Sequence, residues 1–265
     1  MLNYRDELVA FRPRISDPLG EGIAMRLETL LTFLGLPLAL FCIAFALLAR
    51  RRGIALIIAG GTVIWLGLYF MKLVAVSSVS QERVLSLNQE KRFCGFYFDC
   101  HRMVSVSGVR QAREIGAPQE EKKAQGIFYI VTVKVSNDAR VAALALESPT
   151  AKIVDSGGRC FERDLEAEAA LQKAQGRRVA IEQTVGPSSS FTMELVFDLP
   201  PDTESPRLFI SEGDRLSRLV ELFVIGDEDS LYHKKTFFSL DPAPGQSGPL
   251  AGDSDQSERK KTDGR

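Results

Sequence analysis

The sequence predicts a mainly β protein behind a two-helix transmembrane hairpin: a β-sandwich with one short helical insertion and a disordered tail. Three observations lead there. Two uncharged apolar runs, Thr29–Ala49 of 21 residues and Gly53–Met71 of 19, are separated only by Arg50, Arg51 and Arg52. Beyond them hydrophobicity alternates with a period of two rather than 3.6, the signature of half-buried strands. Clusters of Gly, Pro, Ser and Asp then cut residues 77–240 into short segments at the spacing of a two-sheet domain.

Residues 1–28 form a polar N-terminal segment whose Arg5, Arg12, Arg14 and Arg26 are outnumbered by five acidic residues, for a net charge of −1. An α-helix rises about 1.5 Å per residue, so roughly 20 apolar residues cross a hydrocarbon core of about 30 Å. Both apolar runs reach that length, and Arg50–Arg52 leaves room only for a tight turn between antiparallel helices. Arginine-rich short loops stay cytoplasmic. The linker is therefore expected inside and the C-terminal part outside a bacterial cytoplasmic membrane. The arginines of the N-terminal segment pull the other way, and the cysteines described below favour the outside. A signal peptide would have a shorter apolar core ending in small residues. The first run instead ends in Leu-Leu-Ala-Arg-Arg-Arg, so both helices are expected to be retained. Trp65, Tyr69 and Lys72 suit an interfacial anchor.

In the soluble part, Gly126–Asn137 (GIFYIVTVKVSN) is the strongest strand, with Tyr129, Val131, Val133 and Val135 on the core face. Phe191–Leu199 follows the same rule through Phe191, Met193, Leu195, Phe197 and Leu199. Further strands are expected at Met103–Val109, Ala151–Asp155, Arg178–Thr184, Arg207–Ser211 and Leu219–Ile225. Asp164–Ala174, rich in Ala, Glu and Leu, reads as a helix. Asp241–Arg265 carries three prolines, mixed charge and no aromatic residue, so it cannot bury enough surface to offset ordering entropy.

The run FYIVTVKVSNDAR at 128–140, IVDSGGRCF at 153–161 and GPSSSFTMELVFDLP at 186–200 resemble a telokin-like, immunoglobulin-fold module of bacterial envelope proteins, a domain family of unknown function. The likeness covers roughly residues 90–225. Its motifs are an aromatic strand ending in Asn, a turn of the form D-x-x-G-R, and a later strand ending in Leu-Pro. They mark turns and core strands. The resemblance implies an immunoglobulin-like sandwich and an extracytoplasmic address, and it brings no catalytic residues.

Cys42 falls in the first apolar run, leaving Cys94, Cys100 and Cys160. On a continuous strand Cys94 and Cys100 would stand about 20 Å apart, too far to bond. A turn through Gly95 brings the sulfurs together, a pairing favoured over a bond to Cys160 or three buried thiols. Such a loop would hold Phe96, Tyr97 and Phe98 as a partner patch. Cys94, Cys100, His101 and His233 fit no usual metal-ligand spacing, so no metal or other cofactor is expected. No nucleophile elbow or phosphate-cradling loop occurs. Residues 77–265 carry 25 basic and 29 acidic side chains, a difference of −4 that argues against nucleic acid. The expected function is a membrane-anchored binding or assembly module, not an enzyme. Its partners would be membrane lipid and other envelope proteins, with no small-molecule ligand indicated. The alternative is a metal- or thiol-dependent envelope enzyme or sensor built on Cys94, Cys100 and His101.

Overall fold

A computed structural model describes residues 18–94, 100–117 and 120–240, with side chains from residue 27 onward. The expected disordered tail and residues 1–17 lie outside the described residues. The chain divides into two compact bodies, Met1–Ser80 with Val220–His233, and Gln81–Leu219 with Lys234–Arg265.

The first body is built on helices α1 (Pro18–Leu48) and α2 (Arg52–Val79). Both run past the apolar segments that the sequence marks, because the flanking residues are still good helix formers and Pro18 suits a first helical turn. Between them the Arg51 N–H donates to Ala46 O (2.8 Å) and the Arg50 N–H to Leu47 O (3.0 Å). This is a Schellman ending with Arg50 at φ 56°, a left-handed conformation usually left to glycine. Both helices are long and apolar enough to cross a membrane. Large apolar side chains stay exposed along them, Phe41 at 69% and Ile57 at 77%. At the ends away from the arginine turn, the Tyr69 hydroxyl donates to Phe223 O and accepts from the Thr29 hydroxyl, whose Oγ1 in turn accepts from the Ile225 N–H. Trp65 Nε1 donates to Thr32 Oγ1 at 3.1 Å, and Lys72 pairs with Glu28.

Those contacts correct one sequence expectation. Leu219–Ile225 is not a strand; helix α4 (Arg215–Glu221) covers its first half and turns the remainder. Asp214 accepts from the Ser217 N–H and starts that helix. Val224 and Ile225 are then buried within the helical body, where no sheet edge is offered.

The second body is a β-sandwich. One sheet has the order β1 (Arg83–Leu85), β9 (Thr236–Ser239), β8 (Arg207–Ser211), β5 (Thr150–Val154), β6 (Cys160–Glu162). The other runs β2 (Glu90–Phe93), β3 (Arg102–Ile115), β4 (Lys122–Asn137), β7 (Ser189–Leu199). All pairings are antiparallel except β1 with β9. Val131, Val133 and Val135 of β4 and Met193, Leu195, Phe197 and Leu199 of β7 meet Ile153, Leu208, Ile210 and Phe238 in the main core. Tyr129 is only half-buried at its margin. The other face of the four-stranded sheet is also covered. Helix α3 (Leu165–Ala174) packs Ala167 and Leu171 onto Phe128, Ile130 and Val196. Asp164 caps α3 by accepting from the Ala167 N–H at 2.9 Å. Gly126 of β4 is required by close approach, since a Cβ there would lie 2.1 Å from Leu199 O.

A second correction falls at Arg178–Thr184, which forms no strand. Ile181 is fully buried and plugs the main core, while Glu182 and Gln183 are exposed. The segment's alternation seats Ile181, with Val179 packed beside it, in the core rather than forming a ladder, and pairing resumes only at an isolated bridge between Leu144 and Val185.

Candidate functional site at the β2–β3 end

The sequence-predicted pair Cys94 and Cys100 is joined by a disulfide, with Cα atoms 4.0 Å apart. The two cysteines flank the end of the β2–β3 ladder, where Phe93 pairs with Arg102. Phe96, Tyr97 and Phe98, expected as a partner patch, lie outside the described residues. What the structure does describe is the base under that loop, and it is firmly tied.

Lys91 and Phe93 face inward from β2. The Lys91 ammonium, only 5% exposed, donates to Ile210 O at 2.8 Å and lies over the rings of Phe93 and Phe209 at 5.2 and 5.0 Å. A buried ammonium is tolerated only with such partners. Arg102, at the start of β3, pairs with Glu212 just after β8 at 3.2 Å, both side chains about nine-tenths buried. Two cations of the four-stranded sheet, each within three residues of a bonded cysteine, therefore reach across to the five-stranded side. On the outer side, Arg92 donates to Asp138 Oδ2 at 2.7 Å, and His101 Nδ1 lies 2.5 Å from Asp138 Oδ1. Arg92 and then His101 hold the Asp138 carboxyl below the usual carboxylate range.

This arrangement orients an imidazole but supplies little else for chemistry. Sulfurs joined to each other are not the thiolates that metal binding or nucleophilic attack requires. His233 belongs to the helical body, apart in the chain division from His101. Among the described residues, no group of three or more His, Cys, Asp and Glu is placed to hold a metal ion. Cys160 is exposed and unpaired on β6, and Cys42 is half-buried in α1.

The motif residues behind the family resemblance have structural roles. Asn137 Nδ2 donates to Ala142 O, Val185 O and Gly186 O, and its Oδ1 accepts from the Ala139 N–H. Asp155 accepts from Arg159 through both backbone and guanidinium, which holds its carboxyl below the usual range, and Arg159 reaches on to Asp202. Gly158, at φ 79°, closes that turn. Lys91, Arg102 and Glu168, three of the buried charged residues, escape sequence reasoning because nothing local distinguishes them from surface residues.

Residues 101–218, just under half of the chain, match a family described as a domain of unknown function, DUF4352. No curated protein matches the chain. Among solved structures, a conserved hypothetical protein from Bacillus anthracis aligns at 15% identity and TM-score 0.38, covering 51% of this chain and 93% of that one. An uncharacterized β-sandwich protein from Clostridium difficile 630 aligns at 7% identity and TM-score 0.36, covering 61% and 95%. A secreted protein from Mycobacterium tuberculosis aligns at 11% identity and TM-score 0.37, covering 52% and 93%. None of these likenesses lends a ligand or a reaction to this chain.

Proposed function

We propose that the chain is a membrane-anchored extracytoplasmic binding module: a two-helix hairpin in the bilayer presents an immunoglobulin-like sandwich for contacts with other envelope proteins. Arg50–Arg52 faces the cytoplasm, and the loop closed by Cys94 and Cys100 makes the partner contact. The observation that carries this reading is the bracing of the β2–β3 end. A disulfide, a buried lysine, a buried ion pair and a surface ion network all converge on the base of one seven-residue loop. Rigid support of a short loop lowers the ordering cost of binding. Exposed apolar side chains along α1 and α2 support the anchor, since water would not tolerate so large a patch. The disulfide supports the address outside the cytoplasm.

The test is co-purification from mild detergent, comparing the wild type with Cys94→Ser combined with Cys100→Ser. Closing so short a loop contributes about 2 kcal/mol by the chain-entropy estimate. The double variant should therefore insert and fold while losing its co-purifying partner. Retention of the same partner at wild-type yield would place the contact elsewhere.

A further inference from the structure

β7 is the outermost strand of the four-stranded sheet, and only part of its open edge is covered. At Val196 both backbone groups point away from β4: the carbonyl accepts from the Asp164 N–H at 2.8 Å, and the N–H donates to Glu168 Oε1 at 3.1 Å. The register of β7 against β4 is unbroken from Leu199 to Ser189. By the two-residue period of an antiparallel ladder, Thr192 and Glu194 direct their N–H and C=O groups the same way. No described residue hydrogen-bonds those four groups. Natural sheets usually blunt such edges, and here the α3 segment does so only at the Val196 end.

A cleft of about 300 Å³ opens beside this edge, lined by Thr192, Met193 and Glu194 together with Gln172, Arg177 and Val179. Val179 comes from the segment that the sequence predicts as a strand and that forms none. The two sides of an added strand would meet different chemistry. Inward, Met193 is buried and Val179 packs against the main core, which suits apolar side chains. Outward, Glu194 is already engaged by Arg110 and Gln175. Arg177 lines the cleft, so with Glu194 paired the charge left there is positive.

We infer that the open half of β7 is a docking edge for an extended peptide of alternating acidic and apolar residues, which joins the four-stranded sheet as an additional strand. The inference rests on the reading of the sandwich as a binding module, at a place separate from the disulfide loop. Backbone groups of Thr192 and Glu194 hold the peptide. Arg177 selects its acidic side chains, and the rim formed by Met193 and Val179 takes its apolar ones.

The experiment is fluorescence polarisation on the full chain in detergent, with a labelled hexapeptide alternating glutamate and valine. A peptide alternating lysine and valine is the control. Saturable binding of the acidic peptide alone is expected. Thr192→Pro removes an N–H that serves no bond to β4, so the ladder and thermal midpoint should persist. Binding should weaken about tenfold or more, as loss of one backbone hydrogen bond implies. Arg177→Glu, an exposed substitution, should weaken the acidic peptide several-fold and favour the lysine peptide, and it carries the test if Thr192→Pro fails to fold. Absence of saturable binding, equal binding of both peptides, or indifference to both substitutions would overturn the inference. A partner that still co-purifies through the disulfide loop in that event would leave the binding-module reading standing.

Discussion

Asn137 uses both ends of its amide at a single buried position. Three carbonyls, from Ala142, Val185 and Gly186, converge on Nδ2, and the Ala139 N–H bonds Oδ1. No other side chain of that size offers two donors and an acceptor in one plane, which explains Asn at the end of this strand. Asn137→Ala should leave buried carbonyls and one N–H without partners and cost about 2–3 kcal/mol in chemical unfolding. A loss below about 0.5 kcal/mol would mean that water replaces the amide. Its neighbour Asp138 makes the acid behaviour testable. The folded carboxyl is held below its ordinary range by Arg92 and His101. Its contribution to stability is therefore fully present above the unfolded value of about 3.9 and is lost as pH falls through the lower folded value. The thermal midpoint should fall as pH is lowered from about 5 to 2, and more shallowly in Asp138→Asn. Asp155, Asp214, Glu114 and Glu166, also held low, add to the slope. Parallel curves for wild type and variant would remove Asp138 from the account.

At the scale of the element, α3 acts as a clasp on β7. Glu168 is 4% exposed, receives two bonds from Arg163 at 2.9 and 2.6 Å, and accepts the Val196 N–H. Glu168→Ala strands both a guanidinium and a backbone donor, so a loss of about 3 kcal/mol or more is expected in urea unfolding. A loss under 1 kcal/mol would show that α3 contributes only its apolar face. The strong local patterns of β4 and β7 and the Ala/Glu-rich run of α3 are legible in sequence because each spans several of its own periods. β8 is found at its full extent, Arg207–Ser211. The strands β1, β2, β6 and β9 hold three or four residues each, too few to show a period. Arg178–Thr184 and Leu219–Ile225 carry apolar residues that local reading assigns to strands. Whether they pair depends on a vacant neighbour, which only the assembled sheets decide. The site divides the same way. The cysteine pair is readable from one short stretch, whereas Lys91 meets Ile210 across 119 residues of chain.

Over the whole molecule, the chain passes between its two bodies three times, at Ser80, Leu219 and His233, so the middle of the β8–β9 connection, Val220–His233, belongs to the helical body. That division was invisible in sequence, where residues 77–240 read as one continuous domain. The proposed placement puts the helical body, with its long exposed apolar runs, in lipid and the sandwich, with its disulfide-closed loop, in an oxidising compartment. Cys160 provides the most direct check, being exposed on β6 and unpaired. In spheroplasts expressing Cys42→Ala, a membrane-impermeant maleimide should label Cys160 as fully before lysis as after it. Peptide mapping without reduction should show Cys94 and Cys100 linked and unlabelled. Labelling of Cys160 only after lysis, with Cys94 and Cys100 reacting as thiols, would place the sandwich in the cytoplasm and contradict the account.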